Sequence, residues 1–299
     1  MDDNKKIKKD SIAILGLGKV GTAVGYLLNK AGYHISAVAG RSKSSLQQRA
    51  EYTGGMIYTS FAEASLQADC ILLTTADDAI ATVCETITKA GGVRPGQKVI
   101  HMSGAGDLDL LQAAKRAGAH VGCIHPLQSF ADVEGAINSI PGSTFAITVQ
   151  EDIRDWSVAF VHDIGGLPFF LSEDDKPLYH VAACMASGYL TTLIHTVEEI
   201  YCSLGLSRDA AIHAFWPLVR GTLKNIETKG AVSSLTGPFA RGDITTIRKH
   251  IRALSDKPAY LDAYCSMGIL ALKIGIENKT LPIKNAGMIE KLLKGDVTK

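Results

Sequence analysis

The stretch AILGLGKVG, Ala13–Gly21, decides the fold. Gly16, Gly18 and Gly21 stand in GxGxxG spacing. The glycines close a β-branched, hydrophobic run, SIAILGLG, and open a helical pattern over Val20–Lys30 that stops at Gly32. Strand, glycine turn and helix in that order form the context in which this spacing means a phosphate-binding turn. Gly16 permits the tight turn, Gly18 lets a diphosphate approach the backbone, and Gly21 lets helix and strand pack closely. Lys19 and Val20 lie at the helix start, where backbone N–H groups lack intrahelical partners and face an anion.

Outward from this turn, strand and helix patterns alternate. YHISAVAG is a second strand, Ser44–Thr53 a helix, and MIY, DCILLTT and QKVIHMSG are three more strands. Helices start at Phe61, Asp78 and Leu108; AHVGCIHP and STFAITV follow, then a helix over Arg154–Ile164 and a last edge strand, LPFFLS. Strands separated by helical stretches make a parallel sheet covered on both faces. Beyond Ser172 only helical periods remain, over 176–204, 208–227, 243–255 and 259–276, and Pro217 predicts a kink in the second of them. The expected architecture is α/β: a Rossmann-type, doubly wound, mostly parallel sheet in residues 1–172, then an all-helical domain in 173–299. Residues 277–299 read as a helix or tail.

Composition narrows the function classes. Hydrophobic residues make up 46% of the 299-residue chain, charged residues 20%, and the formal net charge is +1, a globular profile. That balance argues against nucleic acid as a partner. No apolar run reaches membrane-spanning length, and the charged start MDDNKKIKKD does not read as a signal peptide. Six cysteines are scattered with no CxxC pair and no His cluster, so no metal is expected and a reducing, cytoplasmic setting is.

The end of the second strand selects the dinucleotide. An NAD site usually carries an acid there to hold the ribose diol. Here the strand ends Gly40-Arg41-Ser42-Lys43, whose guanidinium, hydroxyl and amine suit a 2′-phosphate. NADP(H) is therefore the expected cofactor. Thr74, Thr75 and Ala76 follow the fourth strand, at the sheet edge where such a cofactor lies.

Two later strand ends bring polar groups to the same edge: Ser103 in HMSGAG and His125 in GCIHPLQSF. The following proline pushes His125 toward extended backbone and off the strand end. A structural reading stands beside each: a turn residue for Ser103, a hydrogen-bonded loop histidine for His125. In the first helix after the sheet, Lys176, His180, Ser187 and Thr191 are offset by 4, 11 and 15 residues. At the helical step of about 100° per residue these fall within an arc of about 60°. A polar stripe on an apolar helix is expected to line the substrate cleft between the two domains. Lys176 is the candidate to hold a carboxylate, polarise a carbonyl, or stabilise or protonate a nascent oxyanion, and His125, His180 and Ser103 to assist it. Snorkelling at a helix start is the plainer reading of Lys176. Arg241, in the loop-like LTGPFARGD, is a candidate anion anchor, and Asp243 a helix N-cap.

The motifs ILGLGKVGTAVG, VAGRS, HMSGA, HPLQSF, KPLYHVAACMASGYL and LTGPFARGD together resemble a family that joins a Rossmann-like NADP-binding domain to a helical domain of unknown function, number 2520. More distantly the layout is similar to ketopantoate reductases, pyrroline-5-carboxylate reductases and the 6-phosphogluconate dehydrogenase-like superfamily. HPLQ also resembles the HPM stretch of prephenate-type dehydrogenases, whose helical half does not match. The resemblance implies an NADPH-dependent reductase of a small, anionic carbonyl, such as the 2-oxo acid ketopantoate, or of an imine, with Lys176 meeting the substrate carbonyl. Where the family carries Asn after the serine of its ASN motif, this chain has Gly188 after Ser187. A non-catalytic NADP(H) sensor is the alternative. Apolar segments such as AFWPLV and MGILALKIGI suggest a homodimer.

Overall fold

The computed structural model describes residues 9–295. Eight strands form one sheet: β1 (Ser11–Leu15), β2 (His34–Ala39), β3 (Met56–Tyr58), β4 (Cys70–Leu73), β5 (Lys98–His101), β6 (His120–Pro126), β7 (Thr144–Val149) and β8 (Leu167–Phe170). Their order is β3-β2-β1-β4-β5-β6-β7-β8. The first six in sequence pair in parallel, β7 runs antiparallel to β6, and β8 is parallel to β7. Reversal at β1 is the topological switch point of a doubly wound sheet, where ligands bind outside the strand ends.

Helices cover the sheet: α1 (Lys19–Lys30), α2 (Lys43–Thr53), α3 (Phe61–Ser65), α4 (Ile80–Lys89), α5 (Gln112–Arg116), α6 (Val133–Ser139), α7 (Arg154–Asp163) and α8 (Lys176–Cys184). The sequence reading missed α6, a helix that begins at the Asp132 N-cap, whose carboxylate accepts from Gly135 N–H. Two clusters of buried residues hold the unit, one on each sheet face, with Ile12, Ile14 and Phe145 in the first and Leu15, Ile71 and Val99 in the second. The alternation along β1 assigns its side chains to opposite faces.

The chain divides into two compact units, one ending at Tyr189 and one beginning at Leu190. α8 therefore belongs with the sheet, beyond the boundary expected near residue 172. The expected continuous helix over 176–204 is interrupted: Met185–Tyr189 is a π-helical turn, and α9 (Leu190–Ser203) follows. A π turn inserts an extra residue, so the constant 100° step of the polar stripe ends at Cys184.

The second unit contains α9, α10 (Arg208–Lys229), α11 (Ala231–Ser234), α12 (Gly237–Arg241), α13 (Ile244–Ala253), α14 (Pro258–Glu277) and α15 (Ile283–Leu293). Pro217 lies inside α10, which continues past it as one helix. The segment read as a loop from its Gly-Pro punctuation holds α12, with Pro238 in its first turn, where proline is welcome. Asp243 caps α13 as expected, accepting from Thr246 N–H at 3.0 Å. By length and a mean hydropathy of 1.3, α14 is apolar enough to cross a membrane, contrary to the sequence reading. Asp262 and Lys273 break its apolar run, which hid it. It packs in the bundle: a Cβ at Gly268 would lie 2.8 Å from Phe239, and one at Gly275 3.0 Å from Leu281.

Gly25 on α1 tests the tightness of the sheet unit. A Cβ there would lie 2.5 Å from Ile14 Cδ1 and 2.7 Å from Thr53 Cγ2. Gly25→Val is expected to destabilise the unit by about 2–3 kcal/mol through overpacking. Thermal melts followed by circular dichroism should show the fall.

Candidate active site

The Gly16 turn is built as its spacing implies. Gly16 takes φ +95°, the left-handed region open to glycine. A Cβ on it would lie 2.7 Å from the Thr75 backbone nitrogen. Gly18 is the N-cap of α1 and offers no side chain to the first-turn N–H groups, which stay free for an anion. A Cβ at Gly21 would collide with Thr74 Oγ1.

A cleft of about 310 Å³ opens at this turn. Gly16, Gly18, Gly40, Arg41, Ser42, Thr74, Thr75 and Ala76 line it, all of them expected from the sequence. Lys19, Val20, Gly21 and Lys43 do not line it. Lys19 and Lys43 are exposed at helix starts, and what the first turn of α1 presents is backbone. Ser45, Arg49 and Phe61 line the cleft without having been singled out. Ser42, Ser45 and Arg49 are spaced i, i+3, i+7 from the α2 N-cap, a one-face helical spacing that would have revealed them. Arg49 Nη1 also donates to Leu17 O at 2.8 Å and pins the turn.

Thr74, besides lining the cleft as expected, has a second task. Its hydroxyl donates to Gly16 O at 2.8 Å and its N–H to Leu15 O at 2.9 Å, so it holds the turn rather than offering a free group. Thr75 Oγ1 is the opposite case: among the described residues it is the buried side-chain oxygen or nitrogen with no hydrogen-bond partner. A glycine cradle, an uncapped helix start and an orphaned hydroxyl beside two arginines fit a dinucleotide with an extra phosphate.

The second polar group of the sheet edge stands at β5 and β6. His101, the last residue of β5, pairs with Cys123, and β6 continues through Ile124, His125 and Pro126. Cys123 and His125 are two apart on a strand and share a face. Lys176, Tyr179 and His180 share a face of α8 by the i, i+3, i+4 rule. The two faces meet. Lys176 Nζ donates to Cys123 Sγ at 3.0 Å, and Tyr179 Oη lies 2.8 Å from His125 Nδ1. The His125 and His180 ring centroids are 6.5 Å apart.

Lys176 is 1% exposed, so it does not snorkel. It forms no ion pair among the described residues. Its recorded acceptor is a thiol, a soft one, and Cys123 Sγ donates in turn to Ser103 O at 3.2 Å. Ser103 is itself committed: its hydroxyl donates to Asp77 Oδ2 at 2.8 Å and accepts from Gly106 N–H at 3.0 Å. It braces the β5 loop, the turn reading of this residue. Ser187 falls inside the π turn, while Thr191 and Arg241 belong to the second unit, Arg241 as the exposed last residue of α12.

Burial first and the positive Lys176 second hold both His101 and His125 down at about 4. Burial pushes the Cys123 thiol up. The His101 tautomer follows from its partners. Nδ1 accepts from Ser103 N–H at 3.2 Å, so Nε2 carries the proton it donates to Asp107 O at 3.1 Å.

Comparisons with known proteins agree with the fold. Residues 1–126 match the model of a Rossmann-like domain, and residues 143–270 match that of the domain of unknown function 2520. The chain joins a Rossmann-like domain to a DUF2520 domain. No curated protein matches the sequence significantly. Among solved structures, the candidate NADP oxidoreductase BF3122 of Bacteroides fragilis is 20% identical with a TM-score of 0.73, covering 89% of this chain and 98% of that one. Protein TM1727 of Thermotoga maritima is 22% identical at 0.68, covering 90% and 99%. A 1-pyrroline-5-carboxylate reductase of Streptococcus pyogenes is 19% identical at 0.62, covering 91% and 99%. At these identities the likeness is one of fold.

The buried histidines make stability depend on pH. His101 titrates near 6.5 when unfolded and about 4 when folded, so the folded state binds fewer protons between those values. Its contribution is complete above about pH 6.5 and is lost as pH falls toward 4, by about 3 kcal/mol. Urea denaturation between pH 7 and 4.5 should show that loss, and His101→Gln should remove this share and leave that of His125.

Proposed function

We propose that the chain is an NADPH-dependent reductase of a small carbonyl or imine that carries a carboxylate, with ketopantoate and 1-pyrroline-5-carboxylate as the first substrates to test. One observation carries the reading. The same sheet edge that holds the glycine turn also holds, at β5 and β6, a buried amine and a neutral imidazole, the pair that reduction of a polar double bond needs. The NADP oxidoreductase and pyrroline-5-carboxylate reductase among the similar folds support it.

When bound, the nicotinamide supplies a hydride. The chain supplies the rest. Gly16, Gly18 and the start of α1 would hold the diphosphate, Thr75 would offer its hydroxyl, and Arg41, Ser42 and Arg49 would receive the 2′-phosphate. Lys176 places a positive charge behind the reacting centre, where the developing negative charge is stabilised in a low dielectric. His180 stands beside His125 at the rim. Cys123 and Ser103 keep the amine in place.

The helices suggest the assembly. Leu178, Val181, Met185 and Tyr189 on α8 and the π turn are exposed, as are Trp216, Leu218 and Leu223 on α10. Apolar surface of this extent fits a homodimer, which sedimentation should report as twice the chain mass. Six free cysteines accord with a reducing cytoplasm.

The reading is checked by NADPH consumption over a panel of 2-oxo acids and cyclic imines. Lys176→Met should lower kcat/KM at least about 100-fold and leave NADPH affinity unchanged. Its unfolding midpoint should hold or rise, because a buried unpaired charge costs stability. Arg41→Ala should weaken NADPH binding about tenfold, the loss of one charge-assisted contact, and leave NADH binding unaltered. Tight NADPH binding with no turnover across the panel would make the sensor reading the right one.

A further inference from the structure

The Tyr179–His125 pair was not anticipated from the sequence, and it has a consequence for His125. The phenol oxygen and Nδ1 are 2.8 Å apart, with the two rings edge to face at 87°. Tyr179 is held as a phenol, its acidity weakened to about 12 by burial. A phenol is a better donor than a neutral imidazole N–H, and an imidazole nitrogen a better acceptor than a phenol oxygen. The hydrogen bond therefore runs from Tyr179 Oη to Nδ1. That leaves the imidazole proton on Nε2.

The structure records no protein partner for His125 Nε2 among the described residues, and the nitrogen faces Gly104. A Cβ at position 104 would lie 2.8 Å from Nε2 and 2.7 Å from His180 Cδ2. Glycine there lets the two imidazoles pack against the backbone, where no Cβ would fit. The strand overhang of Ile124–Pro126 lifts the ring past the end of β5. His125 is only part-buried and its Nε2 is not among the buried polar atoms left without a partner, so this N–H reaches the surface, where a ligand atom can meet it.

We propose that Tyr179 is a positioning residue: it holds His125 in the Nε2–H form and turns that N–H toward the oxygen or nitrogen of the substrate double bond, so that His125 acts as a neutral hydrogen-bond donor. The idea rests on the reductase reading above. No proton leaves the imidazole in this role; the proton that completes the reduction comes from solvent. The donated hydrogen bond strengthens as negative charge develops on the acceptor, the way a neutral histidine serves as an electrophile in other enzymes. The hydrophobic environment and Lys176 suit it, since an imidazolium would have to be buried beside a cation.

Two measurements decide the matter. Nitrogen-15 histidine spectra of the full chain, with and without NADPH, should show His125 protonated on Nε2 in the wild type and a mixed tautomer in Tyr179→Phe. Phe keeps the ring and its packing, and a melt would confirm an intact fold. A wild type protonated on Nδ1, or an Nε2–H form that survives in Tyr179→Phe, overturns the proposal whether or not turnover is found. The second measurement is a double-mutant cycle. Tyr179→Phe should lower kcat about 10–100-fold with little change in KM for NADPH. His125→Gln supplies an amide donor near the Nε2 position that needs no tautomer control. In that background Tyr179→Phe should therefore have no further effect. Additive losses would mean that Tyr179 acts independently of His125 and would also overturn it. Loss of the tautomer in Tyr179→Phe, with no substrate turned over by any variant, sinks the reductase reading and leaves the positioning intact.

Discussion

The organisation of the polar sheet edge depends on one buried amine. Lys176 enters the sheet unit where α8 crosses β6, and Cys123 takes its hydrogen bond at 3.0 Å. A cation buried without a counter-ion is costly, and chains rarely keep one without a use for its field. Here the field acts on neighbours. Together with burial it holds His101 and His125 neutral, and it raises the cost of any further positive charge near the strand ends. Asp77 lies close enough to moderate that field, yet its hydrogen bond goes to Ser103 and not to the amine. The result is a site of fixed polarity: one cation and two uncharged imidazoles, each held by a named partner. A site arranged in advance does not have to reorganise when charge appears.

Much of this was legible in the sequence, because glycine spacing and strand–helix alternation are local signals. The nucleotide turn, the order of strands and the absence of an acid after β2 all follow from short windows. Lys176 and His125 were singled out by position alone. What escaped were properties of pairs. Thr74 was expected to face a ligand, but the Gly16 carbonyl needed its hydroxyl, a need visible only once β1 and β4 lie side by side. Tyr179 read as one more apolar helix residue until β6 placed a histidine opposite it. The π turn escaped for another reason: Met185–Tyr189 has ordinary helical composition, and nothing in it announces an extra residue. Arg49 was recoverable from its spacing to Ser42.

The helical unit is the less legible half. Its helices follow apolar periods, but the short α12 was obscured by Gly-Pro punctuation that marks helix starts as well as loops. Its core, around Ile247, Leu272 and Ile289, is small beside those of the sheet. Large apolar side chains such as Leu218 and Met267 remain exposed.

The antiparallel entry of β7 has a consequence of its own. It ends the parallel array at β6, so no functional strand terminus lies beyond His125 on that side. From His125 the carboxyl ends of the parallel strands run back across β5 and β4 to β1. Three strand gaps of about 4.8 Å make that path about 14 Å long. The sheet thus works as a ruler: counting strands from β6, the last before the antiparallel step, to the glycine turn after β1 sets the reach a ligand needs to touch both ends at once.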